Sequence, residues 1–362
     1  MPRDYSALFP LQSRTASTPR PPSTIEALGW KPFFASQISA DEFIRTPPVR
    51  VVEVHRGALH VLGNEVDETI PPLPDTTTGD WVLLDRERHK SSRVLERTSV
   101  IKRRAPGTDR QVQLIAANID TIFIVSSCNQ DFNIARLERY VAIAFEADVT
   151  PVVVLTKADL VGDTADYAAM AQTISELVPV VTLDARGDEP RVKLAEWCRP
   201  GQTVAFLGSS GVGKSTLTNA LADTQAIATQ PIREDDAKGR HTTTRRQLHM
   251  VPGGCVVLDT PGTRELQLTE AASGIDSVFA DLHDLAARCR FNDCQHLSEP
   301  GCAVREAIED GAIDPVRLER WRKLRAEEAF NTASLAERRS RDKAFGKMVR
   351  RVMKAKDSEG RR

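Results

Sequence analysis

"LTKADL", Leu155–Leu160, stands upstream of "GSSGVGKST", Gly208–Thr216, and the relative order of these two stretches decides the fold. The second fits G-x-x-x-x-G-K-[ST], with Gly208, Gly213, Lys214 and Ser215 at the fixed positions. It follows an apolar run, Thr203 to Leu207, and opens a helical pattern from Ser215 to Leu221. A strand, a glycine-rich turn and a helix start are the setting a phosphate-binding loop needs. The loop Gly208, Ser209, Ser210, Gly211, Val212 and Gly213 lets successive backbone N–H groups converge on phosphate oxygens, and the helix start adds partial positive charge. Lys214 is expected to reach the β- and γ-phosphates and Ser215 to ligate Mg²⁺, with Thr216 closing the nucleotide-binding set. A nucleoside triphosphate ligand follows.

"VVLDTPGT", Val256–Thr263, supplies the second phosphate element. A strand pattern ends in Asp259 and continues to Gly262 as D-x-x-G, placing a carboxylate for Mg²⁺ and an amide for the γ-phosphate. Between the two elements lies "KGRHTTTRRQL", Lys238–Leu248. A threonine there completes Mg²⁺ coordination in GTPases. Thr242 and Thr243 are the candidates, and the sequence does not separate them.

Guanine presents N1–H and N2–H₂ side by side, so one carboxylate can accept both, whereas adenine lacks that pair. In "TKAD" Asp159 has this role, the Lys157 stem lies over the base, and Thr156 occupies a position where asparagine is usual. Asp184-Ala185, in "TLDARGDE", follows the next strand pattern and offers a backbone N–H to guanine O6. The base-reading parts therefore precede the phosphate-reading parts. A circular permutation accounts for this, because domain termini often lie close together and cuts in surface loops are tolerated.

The surrounding pattern agrees. "IDTIFIVSS" and "TPVVVLTKADL" contain apolar runs too continuous for half-exposed strands, and "NIARLERYVAIAFEA" carries Ile134, Leu137, Val141, Ala144 and Phe145 at helical spacing. "YAAMAQTISELV" and "VKLAEWC" read as helices and "PVVTLDA" as a strand. Alternating strands and helices imply an α/β fold with a mainly parallel sheet. Upstream, "VRVVEVHRGALHVL", "DWVLLD" and "VLERTSVIKRRAPG" are short strand patterns separated by turns, the mark of a small β-barrel of OB type or similar. The expected division is an irregular or disordered extension over 1–47, the barrel over 48–110, the permuted nucleotide-binding domain over 111–270, and a helical zinc-binding domain with a basic tail over 271–362.

The 362 residues are 41% hydrophobic, enough for several cores, and 49 basic against 50 acidic side chains exclude a globally basic nucleic-acid binder. No apolar run approaches the ~20 residues that cross a bilayer, so no membrane partner is expected. The N-terminus lacks a secretory h-region, and the scattered cysteines are unlike a disulfide framework, which points to the cytoplasm. The exception to the scatter is "CRFNDCQHLSEPGC", a C-x₄-C-x-H-x₅-C cluster of Cys289, Cys294, His296 and Cys302. Three thiolates and one imidazole suit a closed tetrahedral Zn²⁺ site; buried thiols or a redox pair are the alternatives. The tail from Arg338 to Arg362 carries eleven basic residues against Asp342, Asp357 and Glu359, and Lys102, Arg103 and Arg104 end the barrel. Such charge can neutralise RNA phosphates, or remain merely solvated.

Taken together, the small barrel, the permuted GTPase motifs, "GRHTTT" and the cysteine cluster resemble the ribosome small subunit-dependent GTPase family (RsgA/YjeQ-type) from about Arg50 to the C-terminus. The resemblance implies GTP hydrolysis during late maturation of the small ribosomal subunit, binding to the subunit and its rRNA, stimulation by it, and zinc at the four cluster positions. GTP or GDP, Mg²⁺ and one structural Zn²⁺ are the expected cofactors, and a monomer is expected. Many GTPases place glutamine directly after D-x-x-G to orient water; Thr263 stands there, so slow intrinsic turnover is expected. His241 and Thr243 are the catalytic candidates, with phosphate or partner contact an equal alternative for His241. A small-molecule kinase and a non-catalytic RNA-binding protein are the competing readings. Asp159 and the lack of an acceptor-substrate motif argue against the first.

Overall fold

The computed structural model describes residues 23–55, 57–104, 112–222, 247–251, 254–259, 268 and 270–332. The expectation of an irregular or disordered extension over 1–47 is corrected for its described part. Residues 24–45 form three short helices, α1 (Thr24–Ala27), α2 (Pro32–Ala35) and α3 (Ala40–Arg45). Within the described part, Ser23, Pro32 and Ser39 stand at the helix starts. Ser23 with Glu26, and Ser39 with Glu42, form reciprocal capping boxes, and Pro32 opens α2. Ile25, Leu28 and Phe34 are buried with Trp81, Leu83 and Leu95, and Trp30 meets Trp81 edge-on at 4.8 Å. Each such apolar side chain contributes roughly 1.5–3 kcal/mol when fully buried, which holds short helices that are unstable alone.

The barrel contains β1 (Pro48–Val54), β2 (Leu59–Gly63), β3 (Val66–Ile70), β4 (Trp81–Leu83) and β5 (Arg93–Val94), hydrogen-bonded in the order β3–β2–β1–β4–β5. All pairs are antiparallel. A hairpin of β6 (Val100–Arg104) and β7 (Val112–Ala117) follows and straddles the expected boundary at residue 110. Where barrel, α1 and the next domain meet, Arg50 is buried. It donates to Gly79 O, to Asn118 O at 3.0 Å and to Thr203 Oγ1 at 2.8 Å, and also bonds Leu28 O. Burial pulls this guanidinium down to about 10, partly offset by Asp120 and Asp80, so it stays charged at neutral pH.

The central domain contributes β8 (Thr121–Ser127), α4 (Ile134–Glu146), β9 (Thr150–Thr156), α5 (Ala165–Gln172), β10 (Val180–Thr182), α6 (Glu189–Lys193), β11 (Thr203–Gly208), α7 (Lys214–Ala222), β12 (Gln247–Met250) and β13 (Val256–Asp259). Strand order is β10–β9–β8–β11–β13–β12, parallel throughout except for the antiparallel β12–β13 pair. The three strands that end in nucleotide motifs, β9, β11 and β13, thus present their C-terminal ends on one side. β8, β9 and β11 are buried almost throughout, as their unbroken apolar runs require. "VKLAEWC" differs from its reading: α6 ends at Lys193, and Leu194 to Trp197 is a turn, followed by Pro200 and the left-handed Gly201. A Glu53–Gln247 bridge joins β1 to β12, making one mixed sheet of eleven strands among the described residues.

Of the C-terminal helices α8 (Ala272–Val278), α9 (Ala280–Ala286), α10 (Ala303–Glu309) and α11 (Pro315–Thr332), α8 packs on α4, α9 and α11 pack on α8, and α10 packs on α9. The approach is closest at Gly274, where an added Cβ would lie 2.0 Å from Ala142 O. Glu138 on α4 is fully buried and accepts from Arg320 Nε at 2.9 and 3.0 Å, with Arg317 at 3.6 Å.

Candidate nucleotide site and metal centre

The phosphate loop joins β11 to α7 and needs glycine at both ends. Gly208 has φ 155°, and a Cβ there would sit 2.3 Å from Val125 O on the neighbouring strand. Gly213 has φ 98°, left-handed backbone that glycine adopts without strain. Val212 is buried and anchors the loop from below, while Ser210, Gly211 and Ser215 are exposed and Ser209 and Thr216 half-buried. Lys214 Nζ donates to Gly208 O at 2.9 Å and Ser209 O at 2.6 Å, so its ammonium lies over the cradle.

Thr156 closes β9 and is fully buried. Its hydroxyl is 2.6 Å from Val212 O, to which it donates, and 3.2 Å from Ser126 O. The side chain at the position where asparagine is usual therefore ties the base-reading turn to the phosphate loop. The same residue lies beneath Gly213, where an added Cβ would meet Thr156 Oγ1 at 3.6 Å and Ala185 Cβ at 3.8 Å. Lys157 is left-handed at φ 59°, which turns the chain so that Asp159 follows in the short helical turn Ala158–Leu160. Asp184, after β10, accepts from Arg186 N at 2.9 Å, and that bond, with the Arg186 guanidinium, holds its carboxyl below the usual range. The Asp184 amide is itself taken by Glu189 at 3.0 Å. The structure thus brings Thr156, Lys157, Asp159, Asp184 and Ala185 to one edge of the loop Gly208–Thr216.

Two arginines at this site escaped the sequence reading. Arg186 bridges the carboxylates of Asp159 and Asp184, the latter at 3.2 Å. Arg136, in the first turn of α4, donates from Nη1 to Ser209 Oγ at 2.6 Å. Their places in the chain carry only a weak signal: Arg136 lies three residues past the cap of α4 and Arg186 four past the end of β10, on the side where the motif loops gather. Asp259 is the last residue of β13, beside β11; its side chain lies outside the described residues, as do His241, Thr242, Thr243, Gly262 and the basic tail.

The sulfur cluster is assembled between α9 and α10. Ligand atoms of Cys289, Cys294, His296 and Cys302 lie within 4.8 Å of one another. His296 Nδ1 is 3.5 Å from Cys289 Sγ and 3.4 Å from Cys302 Sγ, and the two sulfurs are 3.9 Å apart. Zn–S and Zn–N bonds of ~2.3 and ~2.0 Å at tetrahedral angles give edges of about 3.8 and 3.5 Å, so the donor set fits zinc. Burial opposes ionisation of Cys289, but the amides of Val304 and Ala303 at the start of α10 pull its thiol down overall. Burial also lowers His296, helped by Arg322, favouring the neutral imidazole a metal needs. Glu299 braces the knuckle by accepting from Gln295 N, Leu297 N and Ser298 N at 3.0, 2.7 and 3.0 Å, and its own amide first, then these three, hold its carboxyl at about 2.

Residues 94–269 match the family described as RsgA GTPase. A relative named Small ribosomal subunit biogenesis GTPase RsgA 2, from Vibrio parahaemolyticus, is 47% identical over 92% of this chain and 93% of its own. Small ribosomal subunit biogenesis GTPase RsgA from Mesorhizobium japonicum is 48% identical over 89% of this chain and 94% of its own. Among solved structures, YjeQ from Thermotoga maritima aligns with a TM-score of 0.56 at 26% identity, covering 76% of this chain and 96% of that one. YloQ, titled a circularly permuted GTPase, shares the fold with a TM-score of 0.54 at 24% identity, covering 80% of this chain and 97% of that one.

Proposed function

Because this chain belongs to the RsgA GTPase family, we propose that it hydrolyses GTP as a step in late maturation of the small ribosomal subunit, to which it binds and which stimulates it. The observation that carries the reading is the bond between Thr156 and Val212 O, which supports one continuous base-and-phosphate site despite the reversed motif order.

In this site Asp159 accepts the guanine N1–H and N2–H₂ donors, the Lys157 stem covers one face of the base, and the backbone around Asp184-Ala185 meets O6. The Gly208–Thr216 loop wraps the phosphates, and Lys214 moves from Ser209 O to the β,γ-bridge region. Ser215 and Asp259 hold Mg²⁺ together with Thr242 or Thr243, Gly262 bonds the γ-phosphate, and His241 orients the attacking water. Bound Mg²⁺ neutralises charge developing on the phosphate oxygens. Cys289, Cys294, His296 and Cys302 hold one structural zinc that fixes the α9–α10 turn, with no open position for chemistry. Lys102, Arg103, Arg104 and the basic residues from Arg338 to Arg362 contact rRNA phosphates. The protein acts as a cytoplasmic monomer, with the barrel side ending beyond the β6–β7 hairpin and the zinc-binding helices beginning near residue 270. No helix among the described residues is long and apolar enough to cross a membrane.

Turnover of GTP, ATP and XTP by the full chain, with and without purified small subunits, tests the proposal. Expected is GTP-selective hydrolysis that rises at least tenfold (roughly the scale of a partner's contribution) when subunits are added. Unstimulated hydrolysis, or equal use of ATP, would sink it.

A further inference from the structure

Two cations converge on one residue of the phosphate loop. Lys214 Nζ bonds Ser209 O at 2.6 Å, and Arg136 Nη1 bonds Ser209 Oγ at 2.6 Å. Lys214 belongs to every loop of this type. Arg136 comes from α4, whose start Asn133 fixes by capping the Arg136 amide at 3.0 Å. The backbone that carries the guanidinium is therefore held, while its side chain is exposed.

Other arginines on and against α4 are committed elsewhere. Arg139 pairs with Glu327, and Arg317 and Arg320 with Glu138. Arg136 forms no ion pair among the described residues; it rests on a neutral hydroxyl beside a loop shaped for anions. Exchanging that hydroxyl for a phosphate oxygen replaces a neutral hydrogen bond with a charge-assisted one, about twice as strong. The sequence also lacks the water-orienting glutamine after D-x-x-G, where Thr263 stands. Charge on the γ-phosphate oxygens is a separate demand, and an arginine supplied within the same chain is a known chemical solution to it in GTPases.

We infer that Arg136 is a further catalytic residue of this GTPase: on binding of the triphosphate it leaves Ser209 and takes a terminal phosphate oxygen through the transition state. No bond to Arg136 forms or breaks; water attacks phosphorus, GDP leaves, and the guanidinium stays protonated throughout. Its contribution is larger for the triphosphate and its transition state than for GDP. The inference rests on the phosphate-loop reading given above.

The test is single-turnover phosphate release by the full chain at saturating Mg²⁺-GTP, alongside GDP affinity and melting temperature, for wild type, Arg136→Ala and Arg136→Gln. Glutamine keeps a donor for Ser209 without the charge, so it separates catalysis from loop support. Expected is a fall in turnover of about 10³-fold or more in both variants, given what an arginine supplies in this chemistry, with GDP affinity within about twofold. Turnover within about tenfold of wild type in either variant overturns the inference, as does a parallel loss of GDP and GTP affinity at unchanged saturated turnover. Should alanine lower the melting temperature, the glutamine variant alone decides. Absence of GTP hydrolysis by the wild type would instead count against the GTPase reading itself.

Discussion

Glu138 on α4 and Asp159 beyond β9 are both carboxylates held by arginine, and the two pairings do different work. Glu138 is fully buried between Arg317 and Arg320, whose side chains are only 13% and 16% exposed. Burial holds its carboxyl above the usual range in spite of both cations, so the charge is present at a cost. Asp159 faces Arg186, whose side chain is 66% exposed, and water screens that contact. A buried pair cannot be exchanged for a ligand without breaking the packing around it, whereas an exposed one can. The first joins the GTPase core to the C-terminal helices. On the proposed reading of the site, the second holds the carboxylate that guanine would take over.

Glu138→Ala should have the largest effect. It strands Arg320 between α4 and α11, while Arg317 keeps Asp281 at 2.8 and 3.0 Å, and loss of one partner from a buried pair costs about 3–5 kcal/mol. Thermal and denaturant unfolding would show this as early release of the C-terminal helices, with the nucleotide site intact. A loss below about 0.5 kcal/mol, the level of an ordinary surface substitution, would erase the distinction between the two pairs.

Asp159→Asn should come next, and in affinity rather than stability. Asparagine cannot accept both guanine donors, and one hydrogen bond to a charged group is worth about 1.5–3 kcal/mol, so GTP affinity should fall by more than tenfold. Xanthine carries a carbonyl in place of the amine, so XTP binding should improve. Titration with both nucleotides checks this, and equal affinities of wild type and variant for GTP would remove Asp159 from the base site.

How far these roles could be read from the sequence follows the same division. Motif order, the buried strands β8, β9 and β11, the phosphate loop and the four-residue sulfur cluster were legible because each is local: a run, a spacing or a turn. The Glu138–Arg320 joint spans 182 positions, and nothing local marks either residue as a partner. Arg136 and Arg186 looked like ordinary surface charges until the fold set them against Ser209 and Asp159. α1–α3 were hidden for another reason, since serine and proline cap helices and fill disordered tails alike. Thr156 looked like a departure from the guanine-binding pattern, yet its hydroxyl makes a bond that only the three-dimensional neighbour Val212 reveals.

Thr156→Val isolates that bond. It keeps shape but leaves Val212 O without its donor, a cost of about 1–3 kcal/mol for a buried acceptor. Guanine-nucleotide affinity should fall roughly five- to tenfold at the low end of that range, and Thr156→Asn should restore it. An unchanged affinity for Thr156→Val would show that the base and phosphate loops hold together without the tether.

The smallest effect, and the sharpest test of the comparison, belongs to Arg186→Ala. If Arg186 competes with guanine for Asp159, its removal should raise GDP affinity, though by no more than about fivefold because exposed pairs are weak. Salt should distinguish the variants further. Rising ionic strength screens the Arg186–Asp159 contact, so wild-type affinity measured against salt should include a favourable component that the alanine variant lacks. A fall in affinity on removing Arg186 would reverse its role, from a competitor for the carboxylate to a support for the bound base.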